Sequence, residues 1–131
     1  MSHWQREHGF RDRPFATLML GLVCERKTLH QRIAERCQQM LKDGLVDEVR
    51  WVWDMGYGPE LPVMQTIGYA QAQALLRGQC SEEEALAQMT TETKQLAKRQ
   101  LTWFRAEPEL QWFAPSQGRE VGDVIEKFWQ L

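Results

Sequence analysis

Hydrophobic positions change their period several times along this chain, and each change marks an element. Residues Phe15-Ala16-Thr17-Leu18-Met19-Leu20-Gly21-Leu22-Val23 are almost continuously apolar, which predicts a buried strand over 15–23. From Leu29 the spacing turns helical: Leu29, Ile33, Cys37, Met40 and Leu41 recur at intervals of three and four until Gly44. Thr28 with Gln31 offers a capping box, so a helix is predicted over 28–43 with Gly44 as its stop. A second helix over 45–55 carries Leu45, Val49, Val52 and Trp53 on one side and ends at Gly56-Tyr57-Gly58-Pro59. Pro62 opens a helix over 62–77, with Val63, Met64, Ile67, Ala74 and Leu75 on one face before Gly78. Gly68 interrupts it at a cost of about 1 kcal/mol relative to Ala. Either a neighbouring helix packs closely there, or bare backbone admits a ligand beside Tyr69.

The longest pattern runs over 82–105, with Ser81 and Glu84 as a capping box and Glu82-Glu83-Glu84 at the end where the helix dipole favours negative charge. At about 100° per residue, Ala85, Leu86, Met89, Leu96, Trp103 and Phe104 share one side, with Thr93 and Gln100 among them. Lys94, Lys98 and Arg105 lie roughly opposite, and Arg99 sits at the border. Gln100 is thereby directed inward, where an unpaired amide costs roughly 1–3 kcal/mol. This helix reads as an ordinary amphipathic one with a solvated charged face, or as a phosphate-facing helix whose tryptophan packs under the cations or stacks on a base. After Pro108, Leu110-Gln111-Trp112-Phe113 predicts a short strand over 110–113. Val121 to Leu131 predicts a terminal helix over 121–130, with Val124, Ile125 and Phe128 inward.

The predicted fold class is mainly α, an antiparallel or orthogonal helical bundle with two short strands. Two strands make a marginal sheet, so they are expected to belong to a larger one. Residues 1–14 are polar, with Arg6, Arg11 and Arg13, and are expected to be a flexible segment ahead of a single part over 15–131.

Composition is globular, 43% hydrophobic and 26% charged over 131 residues. The net charge of −2 offers nucleic acid no general attraction, so any such site must be local. It has one candidate location: Thr90 to Arg105 holds Lys94, Lys98, Arg99 and Arg105 against Glu92 alone. Cys24, Cys37 and Cys80 are odd in number and widely spaced, which speaks against a disulfide framework or zinc site and suits a reducing cytoplasm. His3, His8 and His30 are scattered. No apolar stretch approaches the roughly 18 residues of a membrane span, and no signal-peptide pattern is present. A GxxxxGK[ST] loop, a GxSxG elbow, an HExxH pair and a Rossmann glycine set are all missing, so no catalytic or metal-ligating residue is assigned in this chain.

Four motifs in order carry a resemblance. Arg26-x-x-Leu29-x-x-Arg32-Ile33-x-x-Arg36, Met40-Leu41-x-x-Gly44-Leu45-Val46-x-Glu48-Val49, Gln65-Thr66-Ile67-Gly68-Tyr69 and Ala97-Lys98-Arg99-Gln100-x-Thr102-Trp103-x-Arg105 together resemble the carboxy-terminal part of the tRNA dimethylallyltransferase (isopentenyltransferase) family. The resemblance covers about Phe15 to Trp112. It implies a fragment of a P-loop-like α/β enzyme with an inserted helical domain. The implied reaction is transfer of a dimethylallyl group from dimethylallyl diphosphate to the exocyclic amine of the adenosine 3′ of the anticodon. That amine must leave the anticodon stack to meet an alkyl donor.

The resemblance further implies tRNA contacts from Gln65, Thr66, Ile67, Gly68, Tyr69 and Ala70, and from Lys98, Arg99, Gln100, Leu101, Thr102, Trp103, Phe104 and Arg105. Lys94 would lie near the diphosphate. Mg2+ is implied as cofactor. The phosphate loop, the aspartate base and the Mg2+ ligands belong to the family's amino-terminal half, so this chain alone is expected not to turn over. Two positions depart from the family pattern: Ala70 stands where Lys or Arg is common, and Lys94, a point charge, stands where the two-pronged Arg is common. The alternatives are a stand-alone RNA-binding helical module and a helical interaction domain that self-associates through its orphan strands.

Overall fold

The computed structural model describes residues 15–130. In chain order these form β1 (Met19–Leu22), α1 (Arg26–Lys42), α2 (Leu45–Asp54), a 3-10 turn (Pro62–Gln65), α3 (Tyr69–Leu76), α4 (Glu82–Arg105), β2 (Leu110–Phe113) and α5 (Gly118–Trp129). The described residues are mainly helical, with one two-stranded sheet, as the hydrophobic pattern indicates. The expected flexible segment 1–14 lies outside them.

The chain divides into two compact units, and the helical one runs from Cys24 to Ala106. Within it α1 lies against α2 and α4, while α3 packs on α2, α4 and the 3-10 turn. Its core is Ile33 and Cys37 of α1, Leu45 and Val49 of α2, Ala72 of α3 and Met89 of α4, with Leu29, Met40, Ile67 and Ala97 packed around them. Full burial of a Val, Leu or Met side chain is worth about 1.5–3 kcal/mol, and Met64 and Ala85 of the same unit are buried as well. Gly44 has φ of 100°, so it ends α1 and starts α2 in a single residue.

Three helix boundaries differ from the sequence expectation. Helix α1 begins at Arg26, a half-turn early, because Glu25 O accepts from Leu29 N at 3.0 Å and the helix-favouring Arg26 and Lys27 extend the first turn. The Thr28–Gln31 capping box therefore does not form; Thr28 Oγ1 donates to Glu25 at 3.4 Å and Gln31 to Glu35 at 2.9 Å. The segment 62–77 is not one helix. Pro62 starts a 3-10 turn, Thr66 is extended, and Gly68, at φ 98°, serves as N-cap of the eight-residue α3. Helix α5 begins at Gly118, where Gln117 O accepts from Val121 N. The Ser81–Glu84 capping box of α4 forms in both directions, at 3.2 and 2.8 Å.

The other unit comprises, among the described residues, 15–23 and 107–130. Its strands pair in parallel, Met19 with Leu110 through Leu22 with Phe113. Trp112 lies over Gly21, where a Cβ would meet the indole at 3.0 Å. The apolar run expected as a buried strand over 15–23 is a strand for four residues only, and Leu22 is 67% exposed. A strand is buried by neighbours on both edges, and among the described residues β1 has one, itself four residues long.

Candidate nucleic-acid interface

The 24-residue α4 spans about 36 Å, three times the length of the eight-residue α3 that packs on it. Its amino-terminal half builds core, with Ala85 and Met89 buried, while from Leu96 to Arg105 none of its residues is buried. This overturns the inward placement of Leu96, Gln100, Trp103 and Phe104. The 3.6-residue period does continue through them, but α1 leaves Leu96 and Gln100 in an open groove, and no other element of the Cys24–Ala106 unit buries Trp103 or Phe104. Leu96, Gln100, Trp103 and Phe104 are exposed, Trp103 at 72%. Gln100 thus keeps its solvent and avoids the burial cost.

The last turns of α4 contribute to two adjacent surfaces. On one side Gln95, Lys98, Arg99, Thr102, Trp103 and Ala106 line an open groove of about 700 Å3 along the helix. Among the described residues Lys98, Arg99 and Arg105 make no ion pair, so their charges are free to meet an external anion. The Trp103 and Phe104 rings lie 5.2 Å apart, inclined by 33°. Thr102 donates to Lys98 O at 3.0 Å, leaving its hydroxyl engaged by its own helix. Leu101 is half-buried, as is Lys94 one turn earlier.

On the other side, a second groove of about 370 Å3 runs between α1 and α4. Its walls are mostly apolar, and Arg36 and Gln100 are the polar groups with the longest reach in it. Ile67 also lines this groove. The two segments singled out from the sequence, 65–70 and 98–105, therefore converge through Ile67 and Gln100.

The turn that brings Ile67 there is fixed by hydrogen bonds. Gln65 Nε2 donates to Pro59 O at 2.7 Å, and Thr66 Oγ1 donates to Val63 O at 2.6 Å. At φ 98° and ψ −62°, Gly68 occupies backbone space closed to other residues. A Cβ on Gly68 would stand 3.7 Å from Leu45 and 3.8 Å from Met40 and Met89, ordinary contact distances. Backbone conformation, more than close packing, is therefore what requires glycine. Ala70 is half-buried and its N–H goes to Thr66 O at 3.0 Å. Tyr69 donates its hydroxyl to Glu48, and that hydrogen bond, with burial and the carboxylate's charge, raises its pKa.

Sequence reasoning missed Gln71 and Glu92. Gln71 is 2% exposed; it accepts from Gly68 N–H at 2.8 Å and donates to Glu92 at 3.0 Å. The available signal was the alternation Gln71-Ala72-Gln73 inside a helix too short to have a polar face. Gln73 is likewise buried and donates to Met64 O.

The family model described as IPP transferase matches residues 1–107, most of the chain. The chain belongs to the IPP transferase family. Among relatives, it is 45% identical over 117 residues to tRNA dimethylallyltransferase 2 of Syntrophus aciditrophicus, covering 89% of this chain and 38% of that protein. It is 40% identical over 130 residues to the tRNA dimethylallyltransferase of Geobacter sulfurreducens, covering 98% of this chain and 42% of the relative. The crystal structure of the full-length tRNA isopentenylpyrophosphate transferase from Bacillus halodurans superposes with a TM-score of 0.82 at 31% identity, over 93% of this chain and 42% of that one. This IPP transferase chain thus spans about two fifths of the relatives it matches.

No helix among the described residues is long and apolar enough to cross a membrane. Nor do three or more His, Cys, Asp or Glu side chains among them gather into a metal site. The resemblance places the Mg2+ ligands outside this chain, and no chemical step is assigned to the ion.

Proposed function

We propose that this chain is the tRNA-gripping, carboxy-terminal part of a cytoplasmic tRNA dimethylallyltransferase. In that reading Lys98, Arg99 and Arg105 neutralise phosphates of the anticodon stem-loop, Trp103 offers an exposed face to an unstacked base, and the turn 65–70 meets the same strand. In the complete reaction the exocyclic nitrogen of the flipped adenosine attacks the allylic carbon of dimethylallyl diphosphate. The C–O bond to diphosphate breaks, and the nitrogen loses a proton to a base that this chain does not supply. In that reading Lys94 lies near the departing diphosphate.

The observation that carries this reading is the groove lined by Lys98, Arg99 and Trp103, where exposed cations that make no ion pair among the described residues flank an exposed indole. Its test is binding of the chain to a fluorescent anticodon stem-loop at two salt concentrations, beside a scrambled hairpin of equal length. Preferential, salt-sensitive binding is expected, with no prenyl transfer by this polypeptide alone. Equal affinity for both RNAs, or no binding at low salt, counts against it. A second reading, self-association, rests on β1 and β2 each having an unpaired edge among the described residues. Sedimentation at a mass independent of concentration excludes it.

A further inference from the structure

Glu92 is the one acid between Thr90 and Arg105, a stretch that otherwise holds four cations. A carboxylate there subtracts from the attraction of α4 for phosphate, so its presence calls for a compensating role. The structure turns it onto two amides. Gln88 Nε2 donates to its Oε1 at 2.9 Å, and Gln71 Nε2 donates to its Oε2 at 3.0 Å. At its other end Gln71 Oε1 accepts the Gly68 N–H at 2.8 Å. The buried Gln71 amide thus reaches from the positive-φ turn to α4, less than two turns before Lys98.

Neither end of that amide is interchangeable, since its oxygen must face an N–H and its nitrogen a carboxylate. Space filling does not account for it, because an apolar side chain of similar volume fills a buried site without desolvating an amide. What the amide adds is direction: it fixes where the turn stands relative to the helix. Ile67 and Gln100, one from each segment, line the same groove.

We propose that Gln71 and Glu92 form a positioning bridge that holds the turn 65–70 in register with the cationic end of α4, so that both grip one RNA strand. This inference rests on the RNA-binding reading above.

The test exchanges donor and acceptor. Gln71→Met removes the bridge without changing charge. The double variant Gln71→Glu/Glu92→Gln restores it with the roles reversed at unchanged net charge. Gln71→Met, which loses the hydrogen bonds to both Gly68 and Glu92, is expected to bind the stem-loop about tenfold more weakly, and the exchanged pair to recover to within about threefold. The Gly68 amide resonance should move in Gln71→Met and return in the exchanged pair. Wild-type affinity in a folded Gln71→Met chain overturns the positioning role. So does an exchanged pair that restores the Gly68 resonance but not the affinity. A wild-type chain that does not bind the stem-loop overturns the RNA reading and this role with it, while the Gly68 resonance still reports whether the bridge exists.

Discussion

Replacing Trp103 by Ala separates the two fates open to an indole on an amphipathic helix. A Trp held in a core costs about 3–5 kcal/mol of stability when truncated to Ala. Trp103 is 72% exposed, so little more than a quarter of its surface is lost from packing. Scaling the core value by that fraction leaves about 1 kcal/mol, and the high helix propensity of Ala offsets part of it. Stacking of a base on an exposed aromatic is worth about 1–3 kcal/mol, or roughly 5- to 150-fold in affinity. Trp103→Ala should therefore move the urea midpoint slightly and the stem-loop dissociation constant substantially. Urea unfolding followed by circular dichroism and fluorescence anisotropy with labelled stem-loop measure the two on one preparation. A stability loss above about 3 kcal/mol with unchanged affinity would mean that the indole is a core residue, and the interface reasoning would fail.

Three further outcomes are expected. Gly68→Ala, at φ 98°, should destabilise the chain by about 1–3 kcal/mol although a Cβ has room there, and a thermal midpoint equal to wild type would refute the backbone argument. Lys98→Ala with Arg99→Ala should weaken RNA binding for all sequences and lower the slope of log affinity against log salt by about 2, with helix content unchanged; an unaltered slope would remove these side chains from the contact surface. Tyr69 has its pKa raised, chiefly by its hydrogen bond to Glu48, so the folded chain holds that proton more tightly than the unfolded one. Its stabilising contribution is whole below the ordinary tyrosine range and fades as pH rises through the folded value. Tyr69→Phe should flatten that alkaline decline in a chemical-denaturation series, and an identical decline would show that the hydrogen bond carries no linkage.

The sequence by itself determined where most elements lie. Local chemistry decides these features: the capping box at Ser81 and Glu84, the three- and four-residue recurrence of Leu29, Ile33 and Cys37, and the stop at Gly44 are all settled within a turn or two of chain. The ordered motifs were equally legible, because side-chain identity at fixed spacing survives without coordinates. What periodicity could not supply was extent. It marks which side of α4 is apolar, but burial requires a second element packed closely on that side, and only the tertiary structure shows that Leu96, Gln100 and Trp103 are left exposed. The break at Gly68 was visible as a propensity cost, yet its positive φ is imposed by the turn through which Ile67 reaches the α1–α4 groove. Gln71 and Glu92 lie 21 positions apart, a pairing no local pattern encodes. The sequence thus determined the elements and the family, while packing decided which polar groups meet one another and which are left for a partner.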